Sequence, residues 1–341
     1  MKYKNDLEKN AKLMVTPGKG ILAADESSGT IAKRLNQINI ESSFENRLAY
    51  RDMLFTTTDL NKYISGVILF DETLRQTLYN GNSVPDYLSQ LGILPGIKVD
   101  KGAQPFALHN EEFITNGLDG LSARLEEYRG LGAKFAKWRA VIKIENNLPS
   151  KACIYANAHA LARYAAICQD NGIVPIVEPE VLMNGSHTIE KCYDVTKLTQ
   201  EIVFNELAKL DVMLEGIILK PSMVISGDTC ESQANHDLVA EMTVKCLKAT
   251  VPANVPGCAF LSGGQSDVDA TVHLNLMNKN NDLPWNLTFS YGRALQHPAI
   301  MSWKGKKVNV KTSQEILFHR SMVNGLASIG EYNSSMEDKV S

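Results

Sequence analysis

The chain is predicted to fold as an α/β protein of the (β/α)8, or TIM, barrel type. Eight short apolar or β-branched runs recur along it, each ending in polar residues, and stretches with helical spacing lie between them. Near-continuous apolar strands are what a parallel sheet requires when helices cover it. A doubly wound open sheet satisfies the same alternation and stays open as the rival architecture at this level.

The runs in order are Gly20–Asp25 (GILAAD), Gly66–Asp71 (GVILFD), Gly96–Asp100 (GIKVD), Phe135–Ile142 (FAKWRAVI), Ile173–Glu178 (IVPIVE), Leu214–Pro221 (LEGIILKP), Cys258–Ser262 (CAFLS) and Asn286–Tyr291 (NLTFSY). Between the fourth and fifth, Ile154, Ala158, Leu161, Ala165 and Cys168 recur at intervals of four and three, which places them on one helix face. Val239, Met242 and Cys246 do the same after the sixth. Ser266 precedes Asp269 by three residues and resembles a capping box, so a strand, a loop and a helix start are expected there. No linker, low-complexity tract or repeat divides the chain, and residues 1–341 are expected to form one barrel domain. Only the polar end from Glu331 is expected to be a loose tail.

Composition narrows the partners. The 341 residues are 44% hydrophobic and 21% charged with a formal net charge of -3, which provides neither a basic footprint for nucleic acid nor one for an anionic membrane. The six cysteines contain no C-x-x-C pair, so reduced packing thiols are expected rather than a zinc site or a disulfide framework. The first twenty residues lack an apolar core of signal-peptide length, and no uncharged run approaches the ~18 residues of a membrane span. A cytoplasmic protein is expected.

Lys220 closes the sixth run, and it is the chemically most informative residue. An amine at the end of an apolar strand is partly withdrawn from water, which disfavours its ammonium form and favours a nucleophile able to condense with a carbonyl. Side chains two apart on a strand share a face, so Lys98 and Asp100 point together, as do Lys137 and Arg139, Glu178 and Glu180, and Ile218 and Lys220. Charges in a barrel interior are costly unless paired. Polar ends on most strands at once therefore indicate a compensated catalytic face rather than isolated loop ties.

The loops after the seventh and eighth runs read Ser262-Gly263-Gly264-Gln265-Ser266 and Ser290-Tyr291-Gly292-Arg293. Glycines let backbone N–H groups approach an anion, a helix start adds a favourable dipole, and Arg293 offers a bidentate fork. Barrel enzymes often bind phosphate at this place.

These segments resemble the class I fructose-1,6-bisphosphate aldolases. The motifs that carry the resemblance are GKGILAADES at 18–27, GVILFDETL at 66–74, GIKVDKG at 96–102, FAKWRAVIKI at 135–144, IVPIVEPEVL at 173–182, LEGIILKP at 214–221, FLSGGQS at 260–266 and LTFSYGRALQ at 287–296. The resemblance runs from about residue 18 to about 332. It implies reversible cleavage of fructose 1,6-bisphosphate to dihydroxyacetone phosphate and glyceraldehyde 3-phosphate through a lysine Schiff base, in glycolysis and gluconeogenesis.

By motif match, the resemblance makes Lys220 the imine-forming lysine, Glu178 the general acid/base and Asp25 the acid that engages the C4 hydroxyl. Lys137 joins the active site and, if close to Lys220, disfavours a second positive charge there. Ser262, Gly263, Gly292 and Arg293 match the C1-phosphate side, with Gly264 and Ser290 in the same loops and Arg34 a mobile contributor. Ser27, Thr30 and Lys98 resemble the C6-phosphate side, and Arg139 supports substrate and network. Thr30 stands where many relatives have serine, and Ser222 where asparagine is common. Many eukaryotic relatives continue into a tail ending in a tyrosine that assists proton exchange at C3. Here Tyr332 is the last tyrosine, so the resemblance assigns no C3 proton carrier.

No cofactor is expected, and the seven histidines show no close ligand pair of the kind a zinc-dependent aldolase uses. Relatives are usually homotetramers, so a homo-oligomer acting on a phosphosugar is expected. Preference among fructose 1,6-bisphosphate, fructose 1-phosphate and sedoheptulose 1,7-bisphosphate stays open. Two readings from other classes stay open. A phosphosugar isomerase needs the phosphate loops but not Lys220, and a non-catalytic scaffold needs none of the constellation.

Overall fold

A computed structural model describes residues 2–279 and 282–339. Its strands are β1 (Gly20–Ala24), β2 (Ile64–Leu69), β3 (Leu94–Lys98), β4 (Ala103–Pro105), β5 (Phe113–Thr115), β6 (Phe135–Ile142), β7 (Val174–Val181), β8 (Ile218–Leu219), β9 (Gly257–Phe260) and β10 (Asn286–Tyr291). Eight of them close into a parallel barrel in the order β1-β10-β9-β8-β7-β6-β3-β2, with helices between. Closure excludes the open doubly wound sheet. All eight expected runs are barrel strands; β4 and β5 form a separate antiparallel hairpin that the sequence did not signal, since arms of three residues carry no readable alternation.

Alternation along the strands sorts side chains into two cores. Ile21 and Ala23 of β1, Ile68 of β2, Phe135 of β6, Val174 and Ile176 of β7, Ile218 of β8 and Ala259 of β9 form the interior cluster. Leu22, Val67, Leu69, Ile97, Ala136, Trp138, Val177 and Leu219 have the opposite parity and pack with the helices in the outer cluster. The helix Lys4–Met14 presents Leu7, Ala11 and Met14 to the interior cluster and plugs the barrel where its strands begin. Gly96 makes room for the largest interior ring, because a Cβ there would lie 2.1 Å from a Phe135 ring carbon.

The expected helix faces are present. Ile154, Ala158, Leu161, Ala165 and Cys168 are all buried on the helix Lys151–Asp170. Val239 and Cys246 are buried on His236–Thr250, with Met242 partly so. Ser266 caps the helix Asp267–Asn278, its hydroxyl accepting from the Asp269 amide at 3.0 Å.

The polar C-terminus is a correction. Residues Ser334–Lys339 form a 3-10 turn docked on the helix Val310–Ala327. Buried Arg320 requires an anion there, and its Nη1 donates to Glu337 Oε2 at 2.6 Å. Tyr332 is buried and donates its hydroxyl to Glu337 Oε1 at 3.0 Å, while His319 Nε2 meets the Met336 carbonyl at 2.8 Å.

Candidate active site

The interior parity that buries Ala23, Phe135, Ile176 and Ile218 continues one pleat further to Asp25, Lys137, Glu178 and Lys220, and the apolar plug gives way to charge at the C-terminal mouth. Strand register levels Lys98 with Lys137 and Arg139 with Glu178. The Lys220 backbone amide donates to the Val177 carbonyl at 2.8 Å, which ties the end of β8 to β7 beside Glu178.

Glu178 joins the two central amines. Its Oε1 lies 3.2 Å from Lys220 Nζ and its Oε2 lies 3.5 Å from Lys137 Nζ, with all three side chains 5% exposed. Lys137 also meets Asp25 Oδ2 at 2.7 Å and Asp100 Oδ2 at 3.9 Å. Burial alone would lower the proton affinity of Lys137, but Asp25, Glu178 and Asp100 outweigh it and hold the ammonium above its ordinary range. Burial alone would raise Asp25, yet the charges of Lys137 and Lys220 hold that carboxyl far below the usual range. Asp25 is thus ionised and Lys137 charged.

Lys98 donates to the Asp100 carbonyl at 2.8 Å and to Asp100 Oδ1 at 2.5 Å. Arg139 is paired with Glu180. Ser27 begins the helix Ser28–Asn36, its Oγ 3.2 Å from Thr30 Oγ1, while Arg34 from that helix turns back to Glu26. Glu26 also accepts from Arg51 at 2.5 Å.

Across the mouth, Gly263 adopts a left-handed φ of +55°, a conformation glycine takes without strain. Gly292 immediately precedes the helix Arg293–Trp303, and both Gly292 and Arg293 line the cleft at that helix start. The Ser290 hydroxyl is buried without a hydrogen-bond partner and lines the cleft. Arg293 is engaged with the Gln265 carbonyl and with Asp267 at 3.2 Å.

The resulting cleft has a volume of about 730 Å³. Asp25, Ser27, Thr30, Arg34, Lys98, Lys137, Arg139, Glu178, Lys220, Ser262, Gly263, Ser290, Gly292 and Arg293 all line it. Gly264 does not: it lines an adjoining 250 Å³ pocket, with its amide on Met183 Sδ at 3.0 Å. A Cβ at Gly264 would meet that sulfur at 2.6 Å, so a larger residue would displace the flexible end of Met183.

Sequence reasoning did not select Asp100, Glu26 or Glu180 as site residues, although all three line the cleft and hold its cations. For Asp100 and Glu180 the signal was present, each standing two residues beyond a selected residue on one strand face. Glu26 had none, because its partner Arg51 comes from the distant helix Phe44–Phe55.

An amine held against a carboxylate, beside a second amine paired with three acids, can form and break an imine with a carbonyl. The family model described as fructose-bisphosphate aldolase class-I matches residues 6–341. The chain is 57% identical over 327 residues to the probable fructose-bisphosphate aldolase class 1 of Xanthomonas axonopodis pv. citri, covering 96% of this chain and 98% of that relative. It is 50% identical over 333 residues to the cytosolic fructose-bisphosphate aldolase 4 of Arabidopsis thaliana, with 97% and 85% covered. The solved structure of the Plasmodium falciparum fructose-bisphosphate aldolase, in complex with TRAP and a small-molecule inhibitor, matches with a TM-score of 0.96 at 47% identity, covering 98% of this chain and 96% of that one. With the barrel, the paired amines and this agreement over nearly its whole length, the chain belongs to the class I fructose-bisphosphate aldolase family.

Proposed function

We propose that Lys220 is the nucleophile with which this class I aldolase reversibly cleaves fructose 1,6-bisphosphate to dihydroxyacetone phosphate and glyceraldehyde 3-phosphate. The observation that carries the assignment is the 3.2 Å contact between Lys220 Nζ and Glu178, inside a cleft where the neighbouring amine of Lys137 is already committed to three carboxylates.

In this reading Lys220 passes a proton to Glu178, 3.2 Å away, and the freed amine attacks the ketose C2 carbonyl. The carbinolamine then loses its hydroxyl as water with a proton delivered by Glu178, leaving a protonated imine. The C3–C4 bonding pair flows into that imine while the C4 hydroxyl proton passes to Asp25, which is held ionised, and the aldehyde departs. Lys137 keeps Asp25 ionised.

Ser262, Gly263, Gly292 and Arg293 receive the C1 phosphate, with Ser290 beneath and Arg34 reaching in. Ser27, Thr30 and Lys98 receive the C6 phosphate, and Arg139 steadies the sugar. Arg293 must leave Asp267 to do so, and an incoming phosphate dianion supplies a stronger partner. Gly264 acts by packing the loop. The family leaves the isomerase and scaffold readings without support.

The chain works as one barrel unit, as a homo-oligomer of the tetrameric kind, in the cytoplasm. The cytosolic Arabidopsis relative supports the location, and among the described residues no helix is long and apolar enough to cross a membrane. The test is borohydride reduction in the presence of substrate with peptide mass mapping, beside Lys220→Ala and an EDTA control. A reduced adduct on Lys220, loss of cleavage in the variant and full activity in EDTA are expected. An adduct elsewhere, or normal turnover by Lys220→Ala, refutes the assignment.

A further inference from the structure

The loop that offers Ser262 and Gly263 to the cleft is gripped from behind by a buried polar ladder. Gln265, 7% exposed, donates from Nε2 to the Ser262 carbonyl at 3.1 Å and contacts Met223 Sδ at 3.6 Å. Its Oε1 lies 2.6 Å from Nδ1 of His273, which is 5% exposed on the helix Asp267–Asn278.

The Ser262 carbonyl can only accept, so the amide nitrogen of Gln265 faces it and the amide oxygen faces the imidazole. The hydrogen therefore sits on His273 Nδ1. Nε2 is left as a bare acceptor, buried without a hydrogen-bond partner, with the edge-on ring of His236 at 4.9 Å. His236 in turn meets Asp269 Oδ1 at 2.8 Å. Nothing in this arrangement uses the second nitrogen of His273; the ring is held for the one hydrogen that Nδ1 supplies.

We propose that His273 is a positioning residue for phosphate recognition: by fixing Gln265 it fixes the Ser262 peptide, and so the geometry in which Ser262 and Gly263 meet the C1 phosphate. The inference rests on the reading that these two residues receive that phosphate. His273 does not line the cleft and acts only through Gln265.

Its role is separable by substitution. His273→Leu keeps an apolar filling but leaves Gln265 Oε1 without a donor, so the side-chain amide is free to turn from the Ser262 carbonyl, which then keeps only the Gln265 backbone amide at 3.2 Å. His273→Asn places an amide Nδ2 close to where Nδ1 stood and restores the donor. Ser262→Ala tests the phosphate contact directly.

In the full chain, steady-state cleavage of fructose 1,6-bisphosphate is measured for the three variants, with thermal melts. His273→Leu is expected to raise KM about tenfold with kcat within about twofold, His273→Asn to stay within about twofold of the parent on both, and Ser262→Ala to raise KM. If Ser262→Ala raises KM and His273→Leu does not, the positioning role is wrong and phosphate recognition stands. If Ser262→Ala leaves KM unchanged, phosphate recognition by this loop is wrong. A rise in KM as large for His273→Asn as for His273→Leu means that ring volume, not the donated hydrogen, matters, and also overturns the inference. Should His273→Leu not fold, Gln265→Met cuts the same link from the other side and must show the same KM rise.

Discussion

Lys137→Met keeps an unbranched stem and removes the one charge that three carboxylates share. The ammonium lies 2.7 Å from Asp25, 3.5 Å from Glu178 and 3.9 Å from Asp100. At an effective dielectric constant of about 20, those separations correspond to roughly 6, 5 and 4 kcal/mol of attraction. Desolvation of a buried ammonium cancels most of that sum, and removing one partner of a buried cluster costs about 3–5 kcal/mol. The acids left behind repel one another, and protonating one of them relieves the repulsion. In the parent, the depressed Asp25 contributes stability that is present above the ordinary carboxylate value and lost only as pH falls through its lowered native value, so the contribution is flat from about pH 5 to pH 8. In the variant at least one carboxyl is raised above its unfolded value, and stability falls as pH rises through that value. Urea unfolding at about pH 5.5 and pH 8, at one protein concentration, reads both effects. The expected loss is about 3–5 kcal/mol at the higher pH and at least about 1 kcal/mol less at the lower. A loss below about 1 kcal/mol at both would show that Lys137 is not the shared counter-ion.

Glu26→Ala strands Arg51, which is 2% exposed, and is expected to cost about 3 kcal/mol in denaturant unfolding; an unchanged midpoint would show that the guanidinium finds another partner or water. His273 is pushed down to about 4, by burial first and then by the neighbouring His236. Its neutral form is the one the fold prefers, so the unfolded chain binds more protons between about pH 4 and 6.5. That contribution is complete above about pH 6.5 and is lost as pH falls toward 4, reaching about 3 kcal/mol. Subtracting the unfolding curve of His273→Asn isolates it; coincident pH profiles for the two proteins would contradict the assignment.

Much of the site was legible because strand periodicity needs no tertiary information. A period of two takes Ile218 to Lys220, Ile176 to Glu178 and Phe135 to Lys137, and it aims all three polar side chains wherever the apolar ones point. Glycines before the last helices marked the anion loops for a similar local reason. Gly264 was grouped with them by adjacency, but its amide turns to Met183, a contact between segments 81 residues apart. The C-terminal segment was polar and looked untethered, yet buried Arg320 on the preceding helix supplies its anchor.

The amino-acid sequence alone determined the eight barrel strands and their order along the chain, the parity that divides interior from exterior, and the chemical character of each of those strand ends, since all of these are set by residues within a few positions of one another. Only the tertiary structure decided that the sheet closes, that one carboxylate spans the two central amines, that Arg293 rests on Asp267, and that His273 meets the Gln265 amide behind Ser262. Those outcomes depend on which distant groups share a low-dielectric interior, where every buried charge or donor must find a partner and the partner can come from anywhere in the chain.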